Sequence, residues 1–113
     1  MTRIVTVYAT FADADEAASI ARTLVEERLA ACANILGPCR SIYRWQGKIE
    51  DAEEIAALFK TTAEGADALI ARLAELHSYD VPAAVAWPID GAHPPYAEWV
   101  AESVRGAGAP RSG

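Results

Sequence analysis

Few signatures of chemistry stand out in this chain. It has no Gly-x-Ser-x-Gly elbow and no glycine-rich phosphate loop, so common hydrolase and nucleotide-binding patterns are missing. Cysteine is scarce. Cys32 and Cys39 are too few for a disulfide framework and lack the Cys-x-x-Cys spacing of a zinc ligand set. They are expected to be reduced. No apolar run approaches the roughly 20 residues of a membrane span, so no membrane is expected among the partners. The N-terminal "MTRIVTVYATFADADEA" does not read as a signal peptide. Thr and Tyr interrupt its apolar run, and Asp13, Asp15 and Glu16 follow at once. The cytoplasm is the expected compartment. Basic charge is short as well: 10 Lys and Arg stand against 16 Asp and Glu, a net charge of −6. That balance disfavours nucleic acid, whose binding depends on neutralising phosphates. It suits solubility and a mild attraction for cations.

What the chain does have is patterned apolar sequence. At 113 residues, just over half of them apolar, it supports one core and one domain. Residues 3–11, "RIVTVYATF", are β-branched and aromatic and read as a central strand that can be buried on both faces. Asp13 or Asp15 can cap a helix whose apolar face is Ala17, Ile20, Ala21, Leu24 and Val25. "ACANIL" is a short apolar run that Gly37-Pro38 breaks or bulges. In "CRSIYRWQ", Cys39, Ser41, Tyr43 and Trp45 point one way and Arg40, Ile42, Arg44 and Gln46 the other. Gly47 supplies a turn. "KIEDAEEIAALFK" is ambiguous: its composition favours helix, while a strand folded back through Gln46-Gly47 is equally consistent. Thr61 and Glu64 have capping-box spacing for a second helix, with Ala66, Leu69, Ile70, Leu73 and Leu76 on its face. Val81-Pro82 forces an extended exit into "AAVAW". Pro94-Pro95 suits the start of a last helix striped by Tyr96, Trp99, Val100 and Val104. The domain is expected to span 1–104, with 105–113 a flexible, Gly/Ala/Pro-rich tail. The order β-α-β-β-α-β is a split-βαβ layout. The fold class is therefore α+β, a ferredoxin-like βαββαβ sandwich with an added C-terminal helix.

The motifs "ERLAACANI" (27–35), "SIYRWQGKIE" (41–50), "EIAALFKTT" (54–62), "LHSYDVP" (76–82), "WPI" (87–89) and "YAEWV" (96–100) occur in order over nearly the whole chain. Together they resemble the CutA family of divalent-cation tolerance proteins. The resemblance implies a ferredoxin-like domain that assembles as a homotrimer. It also implies a long hairpin with residues 48–61 as a strand, which overrides the helical composition there. Three positions depart from the family pattern. Ser78 replaces a usual Pro, Ala83 a usual Glu, and Ala9 a cysteine carried by some members. The lost carboxylate weakens the metal site expected beside the histidine, and the lost thiol removes a soft ligand.

Two readings compete at "HSYD". His77, Tyr79 and Asp80 can form a ligand pocket, with imidazole as a metal ligand and phenol as a donor. Equally, they can be a helix end with His77 beside the last carbonyls. Trp45, beside the hairpin turn, reads as an interface anchor. The run around Glu50 and Glu54 reads mostly as a solvated face. Lys60 is odd in an apolar strand end: its plain reading is an ion pair with one of those glutamates, and the resemblance implies a cleft between subunits near His77 and Tyr79. Trp45, Glu54, Lys60 and Tyr79 are thus the candidate small-ligand residues. The metal candidates are His77 and Cys32, for copper or another divalent cation. Free cysteine is more often structural, which is the first reading for both thiols. No nucleophile–base set is legible, so no enzyme is expected. The alternative class is a signalling or adaptor trimer like the nitrogen-regulatory PII-type proteins, binding a small ligand between subunits. A nucleotide cradle would mark it; Arg40, Arg44, Lys48 and Lys60 are available, but the glycine loop is not.

Overall fold

The computed structural model describes residues 3–106. Ile4–Phe11 forms β1, buried on both faces except at Tyr8. Asp13 then caps α1 (Ala14–Glu26), accepting the Glu16 N–H at 2.8 Å. Ala17, Ile20, Ala21 and Leu24 are its buried face; Val25 of the expected stripe stays 40% exposed.

Strand β2 (Cys32–Trp45) runs through the Gly-Pro pair without ending. The register slips between Ile35 and Gly37, and Gly37 takes φ 105°, a value that favours glycine. Gln46 and Gly47 both have positive φ, 50° and 80°, the conformation of a tight two-residue hairpin turn. The ambiguous segment is strand: β3 spans Lys48–Thr62. It pairs with β2 from Lys48 to Lys60 and with β1 from Ile55 to Thr62. Ladders on both sides outweigh helix propensities worth at most about 0.7 kcal/mol per residue.

The expected capping box does not form. Thr61 is a fully buried strand residue opposite Val5. Helix α2 (Ala66–Leu76) starts behind Gly65, which makes no side-chain cap. The β1 ladder takes Thr61 into the sheet, and its hydroxyl caps nothing. The chain returns as β4 (Ala84–Pro88), antiparallel to β1, and ends in α3 (Pro94–Ser103).

The architecture is α+β: one antiparallel sheet in the order β2-β3-β1-β4, a long β2–β3 hairpin and an extra C-terminal helix. The two faces of the sheet differ. Val7, Ala9, Phe11, Ala57 and Phe59 face α1 and α2 and build the main core with Leu24, Leu69 and Leu73. The opposite face carries Ile4, Thr6, Tyr8 and Thr10, and α3 covers one end of it, packing Val100 and Val104 on Ile4 and Ala31. Tyr96 and Trp99, expected in the same stripe, are 36% and 47% exposed. No helix among the described residues is long and apolar enough to cross a membrane. Arg105 and Gly106 sit in a turn after α3; the rest of the expected tail, 107–113, lies outside the described residues.

Candidate functional site

The hairpin outgrows the sheet. Residues 48–54 pair with β2 alone, because β1 reaches only to Ile55. Cys39 lies opposite Glu54, Ser41 opposite Ala52 and Tyr43 opposite Glu50, so those β2 side chains share one face with Glu54. Tyr8 and Thr10 of β1 continue that face. Beyond Leu76 the chain bends through Tyr79 and Asp80 and closes the side. The result is a hollow of about 570 Å³ lined by Tyr8, Thr10, Ser41, Tyr43, Trp45, Glu54, Tyr79, Asp80, Val81 and Ala83. Trp45, Glu54 and Tyr79 of the sequence-predicted set meet here. Tyr8, Thr10, Ser41, Tyr43 and Asp80 are its further polar and aromatic members. The period-2 alternation of the strands already put Tyr43 on Trp45's face, but not Tyr8 beside it.

Glu54 is at the centre of the site. It is 8% exposed, which corrects its reading as part of a solvated run. Its Oε2 accepts a hydrogen bond from Tyr79 Oη at 2.8 Å. No cationic nitrogen lies within 4.0 Å of it among the described residues. Burial, the bond to Glu54 and that carboxylate's charge push the Tyr79 phenol well above its ordinary value. Tyr8 is raised too, by burial first and then by Cys39 and Glu54. Both phenols are therefore neutral near pH 7.

His77 has a different job from the one its sequence context offers. Its side chain is fully buried and stacks on Phe11, with ring centroids 5.0 Å apart. Nδ1 accepts the Tyr79 N–H at 3.1 Å, which leaves the proton on Nε2, 2.8 Å from the Thr10 carbonyl oxygen. As arranged, neither nitrogen offers an open lone pair to a metal. The metal reading of His77 gives way to that of a pin, fastening the α2 exit to β1. Glu16 completes the pin by accepting the Ser78 N–H at 2.7 Å. Burial pushes the Glu16 carboxyl up, but hydrogen bonds from Ser78 and Ala12, with His77 nearby, outweigh it and hold it below the usual carboxylate range.

Cys32 is not brought to His77. Cys32 lies opposite Lys60, whereas His77 reaches Thr10, opposite Ala56. Four strand positions separate them, about 13 Å along the sheet. Cys32 Sγ lies instead 3.5 Å from Tyr96 Oη, a contact that, with burial, pushes the Tyr96 phenol up to about 12. Both cysteines are free. Among the described residues no three His, Cys, Asp or Glu side chains cluster as metal ligands. Lys60 joins neither the hollow nor a glutamate; its Nζ donates to Asn34 Oδ1 at 3.0 Å. It lies six residues from Glu54 along β3, about 20 Å away.

Residues 5–103 match the family described as CutA1 divalent ion tolerance protein. The chain is 40% identical over 102 residues to the divalent-cation tolerance protein CutA of Pyrococcus horikoshii, covering 90% of this chain and 99% of that one. It is 46% identical over 87 residues to the protein of the same name from Thermus thermophilus, covering 77% and 84%. The crystal structure of CutA from Xylella fastidiosa superposes with a TM-score of 0.86 at 42% identity, over 89% of this chain and 97% of that one. The chain belongs to the CutA1 divalent ion tolerance family.

Proposed function

We propose that this protein serves divalent-cation tolerance as a non-enzymatic, cytoplasmic homotrimer that holds copper or a similar divalent cation only weakly. The observation that carries the assembly is the bare hairpin and open sheet face. Ile42 is 65% exposed, Ile49 61%, Trp87 48% and Trp45 43%. A two-stranded ribbon is marginal in water by itself, and apolar surface of this extent marks an interaction site. The edge strand β2 is equally in need of cover. Family membership supports the role in cation tolerance, and the trimer is the assembly the sequence resemblance implies. The ligand supply supports weak metal binding: His77 has both nitrogens engaged, Cys32 stands apart, and Ala83 brings no carboxylate to the hollow.

The test is sedimentation of the purified protein at micromolar concentration, with calorimetric titration of copper on the same sample. A stable monomer would sink the trimer. Tight copper binding that survives Cys32→Ala and His77→Ala together would show that the metal site lies elsewhere.

A second reading, a PII-like signalling or adaptor trimer with a small ligand in its clefts, has one observation in its favour: the hollow around Glu54, rich in aromatic side chains. The basic residues that would suit a nucleotide are not in that hollow. Arg40 is bonded to Asp51 at 2.9 Å and 2.6 Å, and Lys60 to Asn34.

A further inference from the structure

Glu54 presents an electrostatic problem that its own chain leaves open. A carboxylate removed from water needs a compensating charge or a full set of hydrogen bonds. Tyr79 satisfies Oε2. Oε1 makes no hydrogen bond among the described residues, yet it is not sealed off, since Thr61 Oγ1 is the buried side-chain atom left without a partner there. Oε1 is therefore reached by solvent, on a residue that lines the hollow. The rest of that hollow has a consistent chemistry. Four aromatic side chains, Tyr8, Tyr43, Trp45 and Tyr79, form its wall, Asp80 adds a second carboxylate, and among the described residues no Lys, Arg or His lines it.

We propose that this hollow is a binding site for a small organic ammonium ion, with Glu54 as its counter-charge and the aromatic rings as its walls. The inference deepens the small-ligand reading of the cleft and rests on it. Three ligand classes meet these walls differently. An anion or nucleotide would face two carboxylates and no base. A hard divalent cation needs about six oxygen donors, and no cluster of even three ligating side chains is present among the described residues. An alkylammonium ion carries its charge on a large, weakly hydrated surface. It gains from aromatic faces and a largely enclosed carboxylate together, the combination found in aromatic cages.

The experiment titrates the full chain, as assembled in solution, with choline and with its uncharged isostere, in which a quaternary carbon replaces the ammonium nitrogen. Choline is expected to bind at least about tenfold more tightly. Glu54→Gln keeps the shape and removes the charge, so choline affinity should fall to that of the isostere, whose own affinity stays the same. Tyr43→Leu, at a half-exposed position, should weaken choline more than the isostere, and it serves as the test if Glu54→Gln fails to fold. Equal binding of the two ligands, no choline binding by folded protein, or indifference to both substitutions overturns the proposal. So does a trimer weakened by Glu54→Gln that ignores choline, because a neighbouring subunit's cation then fills the place. Sedimentation and copper titration of the same sample judge the assembly and metal reading separately. A copper-binding trimer blind to choline overturns only this inference, and a choline-binding monomer overturns only the trimer.

Discussion

The same strands meet two environments. On the helix-covered face, Val7, Phe11, Ala57 and Phe59 are completely or almost completely enclosed, and Phe11 meets Phe59 edge to face at 6.2 Å. On the open face, Tyr8 stacks on Trp87 at 5.3 Å, yet Trp87, Val85, Tyr43 and Trp45 remain nearly half exposed. The first face is finished within one chain. The second is apolar enough to be a core but is covered, among the described residues, only by α3 at one end and by the bend at Tyr79 beside Glu54. The contrast separates residues that fold the chain from residues proposed to serve other copies or a ligand beside Glu54.

The sharpest way to test that division is to damage each face in turn. Phe59→Ala removes a fully buried ring, and unfolding free energy should fall by about 3–5 kcal/mol at every protein concentration. Chemical denaturation checks it; a loss below 1 kcal/mol, as a rough floor for core truncation, would mean that this face is not the folding core. Trp45→Ala should act on assembly instead, weakening the trimer by about 2 kcal/mol or more per contact. Thermal unfolding should then become more dependent on protein concentration, and an unchanged midpoint with unchanged oligomer size would remove Trp45 from the interface.

A smaller effect probes the pin that joins the α2 exit to β1. Glu16 has a carboxyl held below its ordinary value in the folded state. Its contribution is therefore complete above the unfolded value of about 4.3 and is lost as pH falls from there through the folded value. Wild-type stability should drop across that acid window, and Glu16→Gln should drop less. Urea midpoints measured from pH 7 downward decide it; parallel slopes would show that the carboxylate contributes nothing specific. The smallest expected change is in the thiols. Cys32→Ala with Cys39→Ser should leave copper affinity largely intact, since neither thiol belongs to a ligand cluster among the described residues. A large loss in calorimetry would restore Cys32 as a ligand.

How far the site could be read ahead differs from residue to residue. Trp45, Tyr43 and Ser41 were placed on one face by alternation alone, because a strand's period of two is local. Glu54 was not legible as a buried acid. It sits in "EDAEEIA", a run whose other acids are solvated, and its burial depends on Tyr79, 25 residues later, folding over it. His77 shows the reverse. Its sequence setting suggests a ligand, while its two hydrogen bonds, one of them to a carbonyl 67 residues away, make it part of the scaffold. The Thr61–Glu64 cap misled for a related reason: a spacing that satisfies a local rule was claimed by a long-range ladder.

Sequence by itself determined the elements whose cause is local: a cap at Asp13 or Asp15, most of the apolar faces of α1 and α2, a turn at Gly47 and an interruption at Gly37-Pro38, of which the structure takes the Asp13 cap and the bulge. Their free energy comes from neighbours within a few positions, so the pattern carries the answer. The residues' own pattern left 48–62 open between helix and strand, and the family resemblance implied a strand at 48–61; tertiary structure supplies the cause, since pairing with β1 and β2 rewards the backbone only once both are in place. Tertiary structure alone decided which carboxylate is largely enclosed and which histidine is locked. Burial and charge compensation are set by residues distant in the chain, and no window of sequence contains them.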